Sequence, residues 1–421
     1  MKYRRHPVMA DNLDMTNNKP LRGCTGALVT GLTSAGGGNM VAQTMDLFAP
    51  YWQNVKIEIN TPKEGYRYLS VGGMFDGSIA ALNEKGVSNT EFFRSARVIP
   101  YPGPDKPQYF NGHELMRRAD SARKFVELWS ENVTKYGTWA PTGAFAQAIA
   151  DPKEGYLLEA ANWVYNNPAN HAIHGPLTDQ VFAHANFFVS RRLKAVEGGI
   201  GMGYNRAKRM WQLLIDRQYD SCMTFARGVS LSYLMSCFRD HGNVPPEEHR
   251  FSVLGVSEER EHYTICTHGL KGYSTYAYIC IARQDHTDLL SCLWTTFGQP
   301  CISPYLPFYI GIKEVPESMR TNAAARVFDE LRLAIEYHPE YRDEITHYWK
   351  IFDIHTIEES AELEGRVTKL SDDGKTDEAK KLLTEFVANK CSQALSVSSQ
   401  IIDDIKSLPR FIHPAGLRTI L

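Results

Sequence analysis

A chain of 421 residues, 43% hydrophobic and 22% charged, has an ordinary globular composition and is long enough for one large domain with an appendage, or for two domains. Its 46 basic and 48 acidic side chains leave a formal net charge of −2, which gives no electrostatic reason to bind nucleic acid or an anionic membrane. No apolar run approaches the roughly 18 to 20 residues that a membrane helix needs.

Residues 1–23 have a basic start but no apolar h-region, so they do not read as a secretory signal, and the expected compartment is the reducing cytoplasm. From residue 24 to about 100 the chain reads as strands and tight turns. Cys24-Thr-Gly-Ala-Leu-Val-Thr30 is followed by the breakers Ser34-Ala-Gly-Gly-Gly-Asn39 and then by Met40-Val-Ala-Gln-Thr-Met-Asp46, which together predict a hairpin. Strand-like runs follow at 55–59, 66–71 and 78–82, before the turn Asn83-Glu-Lys-Gly86. Helix begins near Glu114, where Leu115, Ala119, Ala122, Phe125 and Trp129 recur at helical steps, and Gly137 is the expected stop. Strands are expected at 145–150, 155–159 and 180–186, helices at 206–219 and 224–237, then strands at 263–267, 276–282 and 289–295. Beyond residue 322 the pattern is amphipathic helix, over 322–337, 341–370 and 376–406, with Thr376 a candidate cap and Leu383, Phe386 and Leu395 on the last apolar face. This arm is expected to pack on the main body, partner binding being the alternative. The sum is a layered α+β body.

The eight cysteines contain no C-x-x-C pair, which removes the common zinc and thioredoxin-like readings, and all but Cys24 read as buried hydrophobes or idle thiols. His241 and His249 make no recognised ligand spacing, and His268 reads as a strand-end residue, so no metal is expected. Gly36-Gly-Gly38 lacks the Lys-Ser/Thr of a phosphate loop, and the glycines of 198–203 lack a dinucleotide register, so no cofactor is expected either. Cys24 differs by context, standing in a Gly-Cys-Thr step at a strand start. A free thiol has a pKa of about 8.5 and needs a base. Cutting the Gly23–Cys24 bond would put an α-amine, with an unperturbed pKa of about 7.7 to 8, on the nucleophile's own residue. Gly23 suits that cut, because a residue without Cβ tolerates strained backbone. Taken alone, however, an internal cysteine is more often a buried structural residue.

The hairpin of Cys24-Thr-Gly-Ala-Leu-Val29, its glycine-rich turn and Met40 to Asp46 resembles that of cysteine N-terminal-nucleophile hydrolases, in particular the dipeptidase A and secernin family. It is more distantly similar to the penicillin acyltransferases and choloylglycine hydrolases. Leu82-Asn-Glu-Lys-Gly-Val87, the helix from Ala119, Ala183-His-Ala-Asn186 and Pro304-Tyr-Leu-Pro-Phe-Tyr-Ile-Gly311 resemble further dipeptidase segments in the same order. The resemblance implies a four-layer αββα sandwich, with residues 1–23 a leader removed by self-cleavage at Gly23–Cys24, 24–318 the catalytic domain and 319–421 a helical extension. It makes Cys24 the nucleophile, Asp46 the neighbouring carboxylate that orients the ammonium or polarises the thiol, and Asn186 an oxyanion donor. Asn89 or Thr90 is the candidate second donor. Gln43 stands where dipeptidases place arginine, which weakens the case for a bound substrate carboxylate there. Arg191, with Arg192, is either a carboxylate partner or part of a solvated pair.

The expected activity is hydrolysis of a dipeptide or small linear amide through a Cys24 thioester. Acyl transfer to an amine, and a secernin-like interaction protein with little activity, stand as alternatives. The expected partner is a small peptide or amide substrate, not nucleic acid or membrane, and self-association is left open.

Overall fold

The computed structural model describes residues 23–47, 53, 55–72, 80–95, 112–136, 143–161, 171–194, 203–224, 228–242, 264–268 and 273–408. Residues 1–22, Gly137 and His249 lie outside them.

Strands β1 (Gly23–Val29) and β2 (Asn39–Leu47) form the expected hairpin. After them come β3 (Ile57–Asn60), β4 (Tyr68–Val71), β5 (Ala80–Asn83), β6 (Ser88–Asn89) and β7 (Phe92–Ser95). Helices α1 (Gly112–Arg118) and α2 (Ala122–Tyr136) precede β8 (Gly143–Ala150), β9 (Gly155–Ala161), β10 (His171–Leu177) and β11 (Val181–His184). Next are α3 (Arg191–Lys194), α4 (Tyr204–Thr224), α5 (Leu231–Cys237), β12 (Tyr273–Ala282), α6 (Thr287–Leu290), β13 (Cys292–Thr295) and β14 (Leu306–Tyr309). The chain continues through α7 (Glu317–Arg320), α8 (Ala323–Tyr337), α9 (Arg342–Asp372) and α10 (Thr376–Ser407).

Two antiparallel sheets result, one in the order β11-β1-β2-β12-β13-β14 and the other β10-β9-β8-β6-β5-β4-β3, with β7 also on β8. Every residue of β1, β2 and β12 is buried, so the first sheet is covered on both faces. That explains the near-continuous apolar runs in these strands. One face meets the second sheet: a Cβ on Gly26 would overlap the Phe92 ring, and Gln43 bonds the backbone of Glu91. Helix α4 packs against β1 and β11, and α1 is tied to the second sheet where Asn83 Nδ2 donates to the Met116 and Ala119 carbonyls. No described helix is long and apolar enough to cross a membrane.

Several expected elements differ. Residues 264–268 form bends rather than a strand, since their neighbours bond them through turns: Cys266 N donates to Asp240 O and Ser274 N to Thr267 O. The run 289–295 splits into α6 and β13, and of the helix expected over 224–237, Thr224 ends α4 while a separate helix runs from Leu231, capped by Ser230. Thr376 is the first helical residue and not the cap. Strand β10 had no sequence signal, because His-Ala-Ile-His-Gly-Pro-Leu neither alternates nor favours extension.

Helix α10 places Leu383, Val387, Ala394 and Ile402 in the same core cluster as the sheets, with Phe386 and Leu395 half-buried against it. Lys313 N donates to Thr384 Oγ1 at 2.9 Å, and Arg239 on the body pairs with Asp353 of α9 at 2.6 Å, both side chains buried. Burying each large aliphatic side chain contributes about 1.5 to 3 kcal/mol. Three or four of them therefore match most of the roughly 5 to 15 kcal/mol that holds a domain folded. Deletion of everything after Val315 should accordingly give aggregated protein by gel filtration. A soluble truncation with a native-like thermal transition would show instead that the arm is detachable.

Candidate active site

The register of three neighbouring strands sets the site. Gly23 of β1 faces Asp46 of β2, which faces Ser274 of β12; one row on, Cys24 faces Met45, which faces Tyr276. Directly opposed residues share a face of a sheet and successive residues alternate. Cys24, Met45 and Gln43 therefore point toward the second sheet, whereas Thr25, Asp46 and Ser274 point toward α4. The contacts agree: the Cys24 thiol donates to Met45 Sδ at 3.5 Å, and Ser274 Oγ donates to Asp46 Oδ1 at 2.7 Å.

On the α4 side the polar groups are gathered by a side chain that the sequence alone did not single out. Arg206, in the first turn of α4 and 1% exposed, donates from Nη1 to Asp46 Oδ2 at 2.6 Å and from Nη2 to Asn186 Oδ1 at 2.9 Å. Nη1 also reaches Thr25 Oγ1 at 3.3 Å. Asn186 lies two residues beyond β11 and accepts a second bond at Oδ1, from the backbone N–H of Cys24 at 2.8 Å. With Oδ1 accepting from two donors, the amide is oriented with its NH2 group as the donor end. A signal for Arg206 was present: Met210 and Leu214 are buried at four-residue steps, and extending that stripe back one turn reaches it.

Two glycines make room for this guanidinium. Gly203 has φ +87°, and a Cβ there would stand 2.7 Å from Arg206 Nη2. A Cβ on Gly23 would lie 2.7 Å from both Arg206 Nη1 and Asp46 Oδ2. The residue before Cys24 thus abuts the ion pair directly, and a side chain there would have to displace it.

Burial pushes the Cys24 thiol up to about 12, aided by the Asp46 charge and opposed by Gln43, Arg206 and Asn186. At neutral pH it is a thiol and requires a base. Burial also raises the Asp46 carboxyl above the usual carboxylate range, against the pull of Arg206 and the Ser274 hydroxyl. Cys24 is only 2% exposed. Surface cavities of about 380 and 330 Å³ lie elsewhere, the first beside Ser392 and Leu395 and the second beside Tyr233 and Lys350.

The structure thus brings Cys24, Asp46 and Asn186 into one network but engages the expected substrate-binding residues otherwise. Gln43 accepts from Glu91 N at 2.8 Å and from Tyr278 Oη at 2.7 Å, and its amide nitrogen donates to the Glu91 carbonyl, so it ties the sheets together. Asn89 Oδ1 accepts from Ala81 N at 2.9 Å, and Thr90 Oγ1 accepts from Ala148 N at 2.8 Å, both as bonds within the second sheet. Arg191 is exposed on α3, and among the described residues no hydrogen bond or ion pair joins it to the network.

No protein-family model and no curated relative matches the chain. Among solved structures it is similar to penicillin V acylase from Agrobacterium tumefaciens, with 11% sequence identity and a TM-score of 0.36, over 68% of this chain and 86% of that one. A score that low carries no argument about fold or activity. The functional reading therefore rests on the geometry of the network.

Proposed function

We propose that this protein is a cysteine N-terminal-nucleophile hydrolase of four-layer αββα architecture. On this reading it cuts itself between Gly23 and Cys24, then hydrolyses a dipeptide or small linear amide through a Cys24 thioester in the reducing cytoplasm. Residues 24–318 form the catalytic domain and 319–421 its helical extension.

The observation that carries the reading is where the polar groups converge. Asn186 bonds the backbone nitrogen of Cys24, and Arg206 and Asp46 abut the glycine before it, so a buried charged network reaches the nitrogen of this residue as well as its thiol. A cysteine that merely fills the core gives no reason for a buried network at its nitrogen, and burying an ion pair there is costly. A nucleophile whose own nitrogen becomes the base does.

In self-cleavage the Cys24 sulfur attacks the Gly23 carbonyl carbon, and the C–N bond breaks as the nitrogen takes a proton. The resulting thioester is hydrolysed by water, releasing a Gly23 carboxylate and a free α-amine on Cys24. In turnover that amine takes the thiol proton, and the thiolate attacks the substrate carbonyl. The Asn186 NH2 group donates to the oxyanion, a bond whose removal typically costs about 10²- to 10³-fold in kcat. The ammonium returns its proton to the leaving amine, and water activated by the same nitrogen resolves the thioester. Asp46 acts on the nitrogen end of the residue, orienting the ammonium, since its carboxylate lies across the sheet from the sulfur. Arg206 beside the amine disfavours protonation and keeps part of it available as free base near neutrality.

Intact-mass measurement and N-terminal sequencing test this reading. An active preparation should begin at Cys24 and lack residues 1–23. Full activity from chains that still carry Gly23 on Cys24 would remove the base and overturn it.

A further inference from the structure

Away from this network, four side chains of soft-ligand type meet in a second cluster. His241 follows α5, Cys266 and His268 belong to the bends at 264–268, and Cys301 lies in the 3-10 turn Pro300–Ile302. His268 Nε2 stands 3.0 Å from His241 Nε2, 3.3 Å from Cys301 Sγ and 3.5 Å from Cys266 Sγ. All four ligand atoms lie within 4.8 Å of one another; three of the residues are buried and His241 is half-buried.

We propose that His241, Cys266, His268 and Cys301 form a structural zinc site. A tetrahedral zinc with bonds of about 2.3 Å to sulfur and 2.0 to 2.1 Å to nitrogen separates its ligands by roughly 3.3 Å for N to N and 3.6 Å for S to N. The three distances at His268 fall within a few tenths of an ångström of those edges. Hydrogen bonding explains them less well. One imidazole nitrogen carries either a single hydrogen or a single lone pair, yet it faces three partners at once. Two thiolates also cancel the charge of Zn²⁺, so the occupied site buries no net charge. Four protein ligands close the coordination sphere, which makes the site structural rather than catalytic.

The backbone around the ligands is held by hydrogen bonds of its own. Cys266 N donates to Asp240 O at 3.1 Å, and Arg209 clasps the Asp240 carboxylate at 2.9 and 2.8 Å, fixing the residue beside His241. Arg239 Nε donates to the Pro300 carbonyl at 2.7 Å and holds the turn that presents Cys301. The site also connects to the first network. Thr267, between two ligands, donates its N–H to Ser274 Oγ at 2.9 Å, and Ser274 donates to Asp46. Zinc would therefore set the position of the hydroxyl that aligns Asp46, an effect on turnover that rests on the function proposed above, whereas metal binding itself does not.

The test uses the full chain. Protein purified from zinc-supplied cells should contain about one zinc per chain by inductively coupled plasma mass spectrometry. Exchange for Co²⁺ should give sulfur-to-cobalt charge transfer and intense tetrahedral d–d bands in the visible. Loss of an outer-shell partner typically costs 10- to 100-fold in metal affinity, so loss of a ligand in His241→Ala should weaken zinc binding by more than about 100-fold. Half-exposed His241 tolerates the change, and circular dichroism checks that the variant is folded. Cys24→Ala should keep its zinc, which separates this proposal from the catalytic one. Folded wild-type protein with far less than one zinc, a weak octahedral cobalt spectrum, or a Cys266–Cys301 disulfide by peptide mapping would overturn the site.

Discussion

Cys24→Ala should lose turnover on any amide substrate by at least about 10⁴-fold, the scale seen when a nucleophile is removed from a working constellation. The same variant should keep Gly23 bonded to residue 24, because one sulfur performs both reactions. Its fold should survive. The thiol donates to Met45 Sδ, and its loss leaves a cavity no larger than one sulfur, a cost on the order of 1 kcal/mol. Amide hydrolysis assays, intact mass and thermal unfolding on one preparation read all three outcomes. Wild-type turnover in the variant would place the chemistry elsewhere in the molecule.

Arg206→Met should cost stability as well as activity. It leaves the Asp46 carboxylate buried with the Ser274 hydroxyl still donating to it, and removing one partner of a buried ion pair typically costs about 3 to 5 kcal/mol. Burial already raises the Asp46 carboxyl, and losing the guanidinium raises it further. A carboxyl whose folded pKa exceeds its unfolded value contributes stability below the unfolded value, near 4, and loses it as pH rises through the folded one. The deficit of Arg206→Met should thus be small in mild acid and grow toward neutrality. Adding Asp46→Asn removes the stranded charge and should recover most of the stability while leaving the enzyme inactive, a coupling that a double-mutant cycle measures. Additive losses of stability in the cycle would show that the two side chains do not depend on each other.

The parts of the site that were legible in the sequence lie on short local motifs. Cys24 and Asp46 end the two arms of one hairpin, whose alternating small and apolar residues and glycine turn mark it without tertiary information. Asn186 was legible through Ala183-His-Ala-Asn186, although the residue itself sits past the strand end. Arg206 was harder to single out, because α4 also carries Lys208, Arg209 and Arg217, and the Met210–Leu214 stripe was the one feature that set it apart from them. The His–Cys cluster escaped for a similar reason. Only Cys266 and His268 are near each other in sequence, and Cys301 lies 33 residues beyond His268, so no ligand spacing marks the set. Seven cysteines treated as equivalent buried hydrophobes include two that share a centre.

The partners of Asp46 also arrive at very different times during folding. The hairpin that presents it closes locally, but Arg206 lies 160 residues away along the chain and Ser274 lies 228 away. Long-range pairings form late, because their loop-closure entropy is lost before the contacts compensate for it. A nascent chain therefore holds its nucleophile long before it holds the groups that make it competent. If processing depends on the whole network, bond scission at Gly23 is a clock for completed folding. In a refolding time course the cleaved fraction should then lag behind hairpin and helix signals and track the docking of β12.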